Sequence, residues 1–262
     1  MPISFTPIGA DPNWRGSTWT VDDELQLASM LARVAVGQAA VVEKILRETG
    51  CAPPDMATAG LQGARHLLTV RPDEGPAHRD GWIFQVISWM AAHLQSKTTP
   101  QRTLIRPPQM MRAQSGQDGL IIEYSDDAIA RVVVCEDKAT KNPRQQFRAG
   151  ILPELKKYET GSRDHELIDG VSTILNCNGI EQVDHVVASI LWDDQRAYRV
   201  ATTVSQGQFT PQDRASLFAG YEEAVPGDLL RRRVELMPLA DLRPWLQGLA
   251  EKALAVLDEQ HV

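Results

Sequence analysis

Three residues in the middle of this 262-residue chain have the types and spacing for phosphodiester chemistry: Asp118, Glu136 and Lys138. Gly116-Gln117-Asp118-Gly119 precedes the apolar run Leu120 to Tyr124. Ser125-Asp126-Asp127 supplies turn residues, and Arg131 to Lys138 carries three valines after its arginine and ends in Glu-Asp-Lys. The pattern predicts a β-hairpin whose second strand is buried on both faces. Side chains alternate along a strand, so Glu136 and Lys138 share one face while Cys135 and Asp137 share the other. An antiparallel partner then brings Asp118 beside Glu136 and Lys138. A phosphodiester is an anion that resists attack by water. Mg²⁺ takes hard oxygen donors, often one or two carboxylates completed by water and phosphate oxygens, and lowers the pKa of its bound water. Asp118 and Glu136 are the expected metal ligands. Lys138 is expected to position the attacking water or offset the charge that develops on phosphorus. Glu123 is the alternative first ligand if Asp118 points away.

Asp118-Gly119, the hydrophobic strand after it and Glu136-Asp137-Lys138 resemble the PD-(D/E)XK superfamily of nucleases, over roughly residues 78 to 205. Gly81-Trp82-Ile83-Phe84-Gln85 is similar to the helix that often opens such domains, with Gln85 where the family often carries Glu. Gln145 and Gln146 follow the lysine where some families place a polar residue near the site. The resemblance implies an α/β (α+β) fold with a restriction-endonuclease-like mixed central sheet flanked by helices. It also implies Mg²⁺, or Mn²⁺, as cofactor and DNA as substrate. By analogy of layout, the chain looks like the nuclease subunit of a bacterial anti-phage system, as in Hachiman-type pairs where a helicase partner controls the nuclease. The opposing expectation is an inactive nuclease-like fold that binds nucleic acid or another protein. A bare Glu-x-Lys is a weak signal by itself: Glu154-Leu155-Lys156 repeats it on what reads as a solvated helix.

Composition fits an ordinary globular protein, at 43% hydrophobic and 23% charged residues. The net charge of −7 argues against indiscriminate nucleic-acid binding. Lys141, Arg144 and Arg148, with Lys156 and Lys157, nonetheless place a basic rim after the site, suited to flanking phosphates. Cys51, Cys135 and Cys177 make neither a disulfide framework nor a zinc pattern, and the six histidines lack zinc-type pairing. A P-loop and a Gly-x-Ser-x-Gly elbow are both missing. No apolar run is long enough to cross a membrane and no signal segment opens the chain, so a cytoplasmic location is expected.

Three regions are expected: a helical N-terminal segment 1–77, the nuclease core 78–205 and a helical C-terminal segment 206–262. Residues 1 to about 18 read as an irregular lead-in, and Thr20 as the cap of one helix running to about Thr49. A short helix is expected near Met56 to Leu68 and an apolar one from Gly81 to Leu94. Asn142-Pro143 opens another, which Pro153 breaks or kinks. His165 to Leu175 is helical, and Val186 to Trp192 and Ala197 to Val204 are strands. Thr210-Pro211 starts a helix to about Ala224, and Asp241 caps a last one bearing Trp245, Leu249 and Leu257. The segments 19–49 and 210–258 could serve a homo-oligomer or partner interface.

Overall fold

The computed structural model describes residues 1–9, 11–48, 55–56, 60–98, 101–111, 116–126, 128–180, 187–188, 195–206 and 210–259. Seven strands form one mixed sheet: β1 (Ile3–Pro7), β2 (Arg15–Val21), β3 (Thr103–Ile105), β4 (Gly119–Ser125), β5 (Ala128–Lys138), β6 (Arg196–Ser205) and β7 (Arg232–Leu239). Their order is β1-β2-β7-β6-β5-β4-β3. The centre, β2-β7-β6-β5, is parallel, while β1 at one edge and β4 and β3 at the other run antiparallel to their neighbours. A parallel centre demands cover on both faces, and Val132, Val133, Val134, Ala197, Tyr198 and Val200 are fully buried.

Strand alternation sorts these residues into two cores. Val133, Cys135, Ala197 and Ala201 pack with α1 (Glu24–Ala35), α2 (Ala39–Arg47), α3 (Leu61–Leu68), α4 (Pro76–Ser96) and the last helix. Val132, Val134, Tyr198 and Val200 pack with the helical path from Pro143 to Cys177, which ends in α7 (Asp164–Cys177), and with the helices between β6 and β7. The result is an α/β fold whose mixed sheet is flanked by helices. Helix α4 is buried from Trp82 through Leu94. Apolar residues all round it are what a helix enclosed between a sheet and other helices needs.

The hairpin of β4 and β5 forms in the expected register. Gly119 pairs with Cys135 and Leu120 with Val134. Asp126 turns the chain with φ +53°, a backbone region that Asp tolerates better than most residues. Thr210 and Asp213 make a reciprocal capping box at α8 (Pro211–Leu217), and Asp241 precedes α10 (Leu242–Glu259).

Several expectations need correction. The irregular lead-in is two strands, β1 and β2, and Thr20 lies within β2. Asp23 caps α1 instead, accepting from Gln26 N at 2.8 Å. The single helix expected to Thr49 is divided into α1 and α2 by Gly37, at φ +93°, a region that favours glycine. Segment 206–262 is not wholly helical, because β7 inserts into the sheet between β2 and β6. The helix expected from Thr210 to Ala224 ends at Leu217 and resumes as α9 (Tyr221–Ala224) after Gly220, at φ +89°. Pro153 does not break its helix. A π turn at Phe147–Ile151 joins α5 (Pro143–Gln146) to α6 (Leu152–Glu159) just before it, and such a turn accommodates a missing backbone donor. Of the strand expected at Val186–Trp192, Val187 and Ala188 are helical and the rest lies outside the described residues. Cys51 likewise falls outside them.

Candidate active site

Asp118 stands one residue before β4, while Glu136 and Lys138 end β5. The pairing that sets Gly119 opposite Cys135 carries Asp118 to Glu136. Lys138 Nζ lies 2.8 Å from Asp118 Oδ2 and 3.1 Å from Glu136 Oε2. One cation position is therefore shared by two carboxylates that lie far apart in sequence. Asp118 Oδ2 also accepts from the Asp137 backbone N–H at 2.8 Å. Glu136 is only 4% exposed and meets the ammonium from the buried side. Asp118 and Lys138 instead line a cleft of about 350 Å³ together with Gly81, Trp82, Gln85 and Gln146.

The electrostatics follow from this burial. Loss of water raises the pKa of Glu136, the Lys138 charge counters part of that rise, and Asp118 adds repulsion. Burial alone would lower Lys138, but the Glu136 and Asp118 charges outweigh it and raise its pKa, so the side chain stays an ammonium. Burial favours the protonated form of Glu136, so a cation bound between the two acids would displace a proton.

Asp137 faces the opposite side of the strand, as alternation requires. Ser88 Oγ donates to Asp137 Oδ1 at 2.6 Å, and Arg199 Nη1 donates to Ser88 Oγ at 2.7 Å and lies 3.8 Å from Asp137 Oδ1. Burial raises Asp137, offset in part by Arg199. The Arg199 guanidinium stacks over Trp19 at 5.2 Å. This enclosed group pins the end of β5 to α4 and β6, and so holds the amide that touches Asp118. On the other side, the Tyr158 hydroxyl lies 3.0 Å from Gln117 Oε1 and 3.1 Å from Glu166 Oε2. Gln117 is buried, and its position steadies the chain entering Asp118.

The remaining expected residues divide. Gln85 lines the cleft, and its Nε2 donates to the Asp118 backbone carbonyl. It acts as a brace for the acid rather than as a carboxylate ligand. Gln146 lines the cleft, whereas Gln145 is exposed and lies outside that lining. Lys141, Arg144 and Arg148 are all exposed. Lys141 Nζ is 3.6 Å from Asp241, and Arg148 Nη2 donates to Ser216 O at 3.4 Å. Glu123 is not in the site: Arg233 holds both its oxygens, with Nη2 to Oε2 at 2.6 Å. The second Glu-x-Lys is structural, with Glu154 paired to Lys157 and Arg163. Ser88, Arg199, Tyr158 and Gln117 carried no local signal, because each is recruited across the fold.

Asp118 and Glu136 fit a hard divalent ion. Their oxygens converge on a position that already holds a positive charge, and two carboxylates plus water suffice for Mg²⁺. Among the described residues no group of three or more His, Cys, Asp or Glu side chains is arranged to hold a metal, a denser donor set than Mg²⁺ needs. No helix of the described residues is long and apolar enough to cross a membrane. Comparison with family models, with curated proteins and with solved structures gave no match.

Proposed function

We propose that this chain is a metal-dependent nuclease that hydrolyses phosphodiester bonds, most simply in DNA. The observation that carries the reading is the meeting of Asp118, Glu136 and Lys138, with Asp118 and Lys138 lining a cleft. Asp118 and Glu136 would hold Mg²⁺ or Mn²⁺, which when bound supplies an acidified water and charge neutralisation at the phosphate. Lys138 is the mobile charge of the trio. Freed from the two carboxylates, its ammonium can donate to the attacking water or to a non-bridging phosphate oxygen. Water gives up a proton to solvent as it forms the new O–P bond, the ester P–O bond on the far side breaks, and the departing oxygen takes a proton from solvent to become a hydroxyl. Gln85 and the Asp137 amide keep Asp118 oriented throughout.

The resemblance to PD-(D/E)XK enzymes supports the same reading through the order of Asp118, Glu136 and Lys138. A cytoplasmic location and control by a helicase or other partner, as in anti-phage systems, belong to this proposal. Gln85 favours a second reading, a nuclease-like fold that only binds, because its amide occupies a position where a carboxylate ligand is often found. Cleavage assays separate the two. Asp118→Asn, Glu136→Gln and Lys138→Met should each abolish metal-dependent cutting while leaving circular dichroism unchanged. Equal cutting by all three variants and the wild type would end the assignment.

A further inference from the structure

The same cleft has a second charged wall that the sequence did not announce. Arg243, in the first turn of α10, lines it together with Asp118 and Lys138. Its guanidinium Nη1 contacts Asp80 Oδ2. Asp80, on α4, is completely buried, and it is already neutralised by Arg79, whose Nε and Nη2 donate to Oδ1 at 2.9 and 2.6 Å. Arg79 is itself buried and reaches Gln247 of α10. One carboxylate therefore faces two guanidinium groups. Arg79 balances the buried charge, and Arg243 supplies an excess positive charge whose side chain is 34% exposed. A guanidinium has five donors in a planar fork. Asp80 fixes its orientation through one nitrogen, which lowers the entropy lost when the others engage an anion.

We infer that Arg243, pre-oriented by Asp80 and Arg79, grips a backbone phosphate next to the scissile one, so that α10 completes the substrate cleft. This rests on the nuclease reading and adds a binding residue to it. The phosphate is that of a nucleic-acid strand, because the cleft continues to the carboxylate–lysine centre.

The test is binding and cutting by the full chain. Fluorescently labelled single-stranded and duplex oligonucleotides are titrated in EDTA, and cutting is followed separately in Mg²⁺. Arg243→Ala should weaken binding by about tenfold, the scale of one charge-assisted hydrogen bond. It should also flatten the dependence of log affinity on log salt by about 0.7 for single strands or about 0.9 for duplex. In Mg²⁺ it should raise KM and spare kcat. Arg243→Lys should keep the salt slope and recover part of the affinity, which a merely structural role would not produce. Lys44→Ala, an exposed change of equal charge on α2, serves as the control and should do neither. Arg79 pairs only Oδ1 of the buried Asp80, so Arg243→Ala should also lower the thermal midpoint, and all variants are compared at a temperature where circular dichroism shows them folded. Cutting by the variant with unchanged KM and unchanged salt slope overturns this inference alone. A wild type that neither binds nor cuts overturns the nuclease reading, and this inference with it.

Discussion

Removing Glu123 should cost stability and leave chemistry intact. Arg233, from β7, forms a two-pronged pair with Glu123 on β4, and each side chain keeps 15% exposure. Arg131 lies 4.0 Å from the same carboxylate, and Arg15 adds a further charge nearby. Glu123→Ala would leave these arginines facing one another without their acid. Breaking a fully buried pair costs about 3–5 kcal/mol. The residual exposure of this one brings the expected loss to about 2–4 kcal/mol. For a chain of this size that lowers Tm by roughly 4–7 °C. Burial tends to raise the Glu123 pKa, but the Arg233 hydrogen bonds and the Arg233, Arg131 and Arg15 charges hold it below the usual 4.5. A lowered folded-state pKa contributes stability above the unfolded value, lost as pH falls through the folded value. The penalty of Glu123→Ala should therefore shrink below about pH 4. Urea titrations of Glu123→Ala, Arg233→Ala and the double variant give the coupling, expected to exceed about 1 kcal/mol. A loss below that, or cutting abolished in a fully folded Glu123→Ala, would refute this reasoning and return Glu123 to the site.

Other expectations follow from single contacts. A Cβ at Gly16 would collide with the Val234 carbonyl oxygen on the paired strand, so Gly16→Ala should destabilise by at least about 1–3 kcal/mol in a denaturant titration. Phe147 meets Phe218 and Tyr221 edge-on at 5.1 and 5.5 Å, and Phe147→Ala should cost about 3–5 kcal/mol by the same assay. At tenfold above its dissociation constant, Mg²⁺ or Mn²⁺ should stabilise the wild type by about 1.4 kcal/mol in a thermal-shift measurement. That gain should vanish in Glu136→Gln.

Much of the site was legible because strand geometry is local. Alternation alone separates Glu136 and Lys138 from Asp137, and hairpin register alone delivers Asp118 to them. The valine run marks a doubly covered strand for the same reason. The edges of the fold were harder to read. Pro2 precedes β1, and β1 and β2 carry Pro7, Gly16 and several Ser and Thr residues, so their pattern resembles a loop. They become strands by pairing with each other, and with β7 across most of the chain length. β7 in turn was hidden among arginines, which find partners far along the chain, such as Glu123 for Arg233 and the Asn13 carbonyl for Arg232. Gly37 and Gly220 break helices where apolar spacing runs on, because positive φ overrides periodicity. The supporting groups Ser88, Arg199 and Tyr158, and the Asp80–Arg243 pair, are long-range contacts that no window of sequence reveals.

The most direct measurement is cleavage of plasmid, linear duplex and single-stranded DNA by the purified chain in Mg²⁺, Mn²⁺ or EDTA, beside Glu136→Ala checked for folding. Cutting by the wild type that needs the metal and disappears in Glu136→Ala is the predicted result. Cutting that persists in EDTA, or that Glu136→Ala retains in full, would contradict a metal-dependent centre built on Asp118, Glu136 and Lys138.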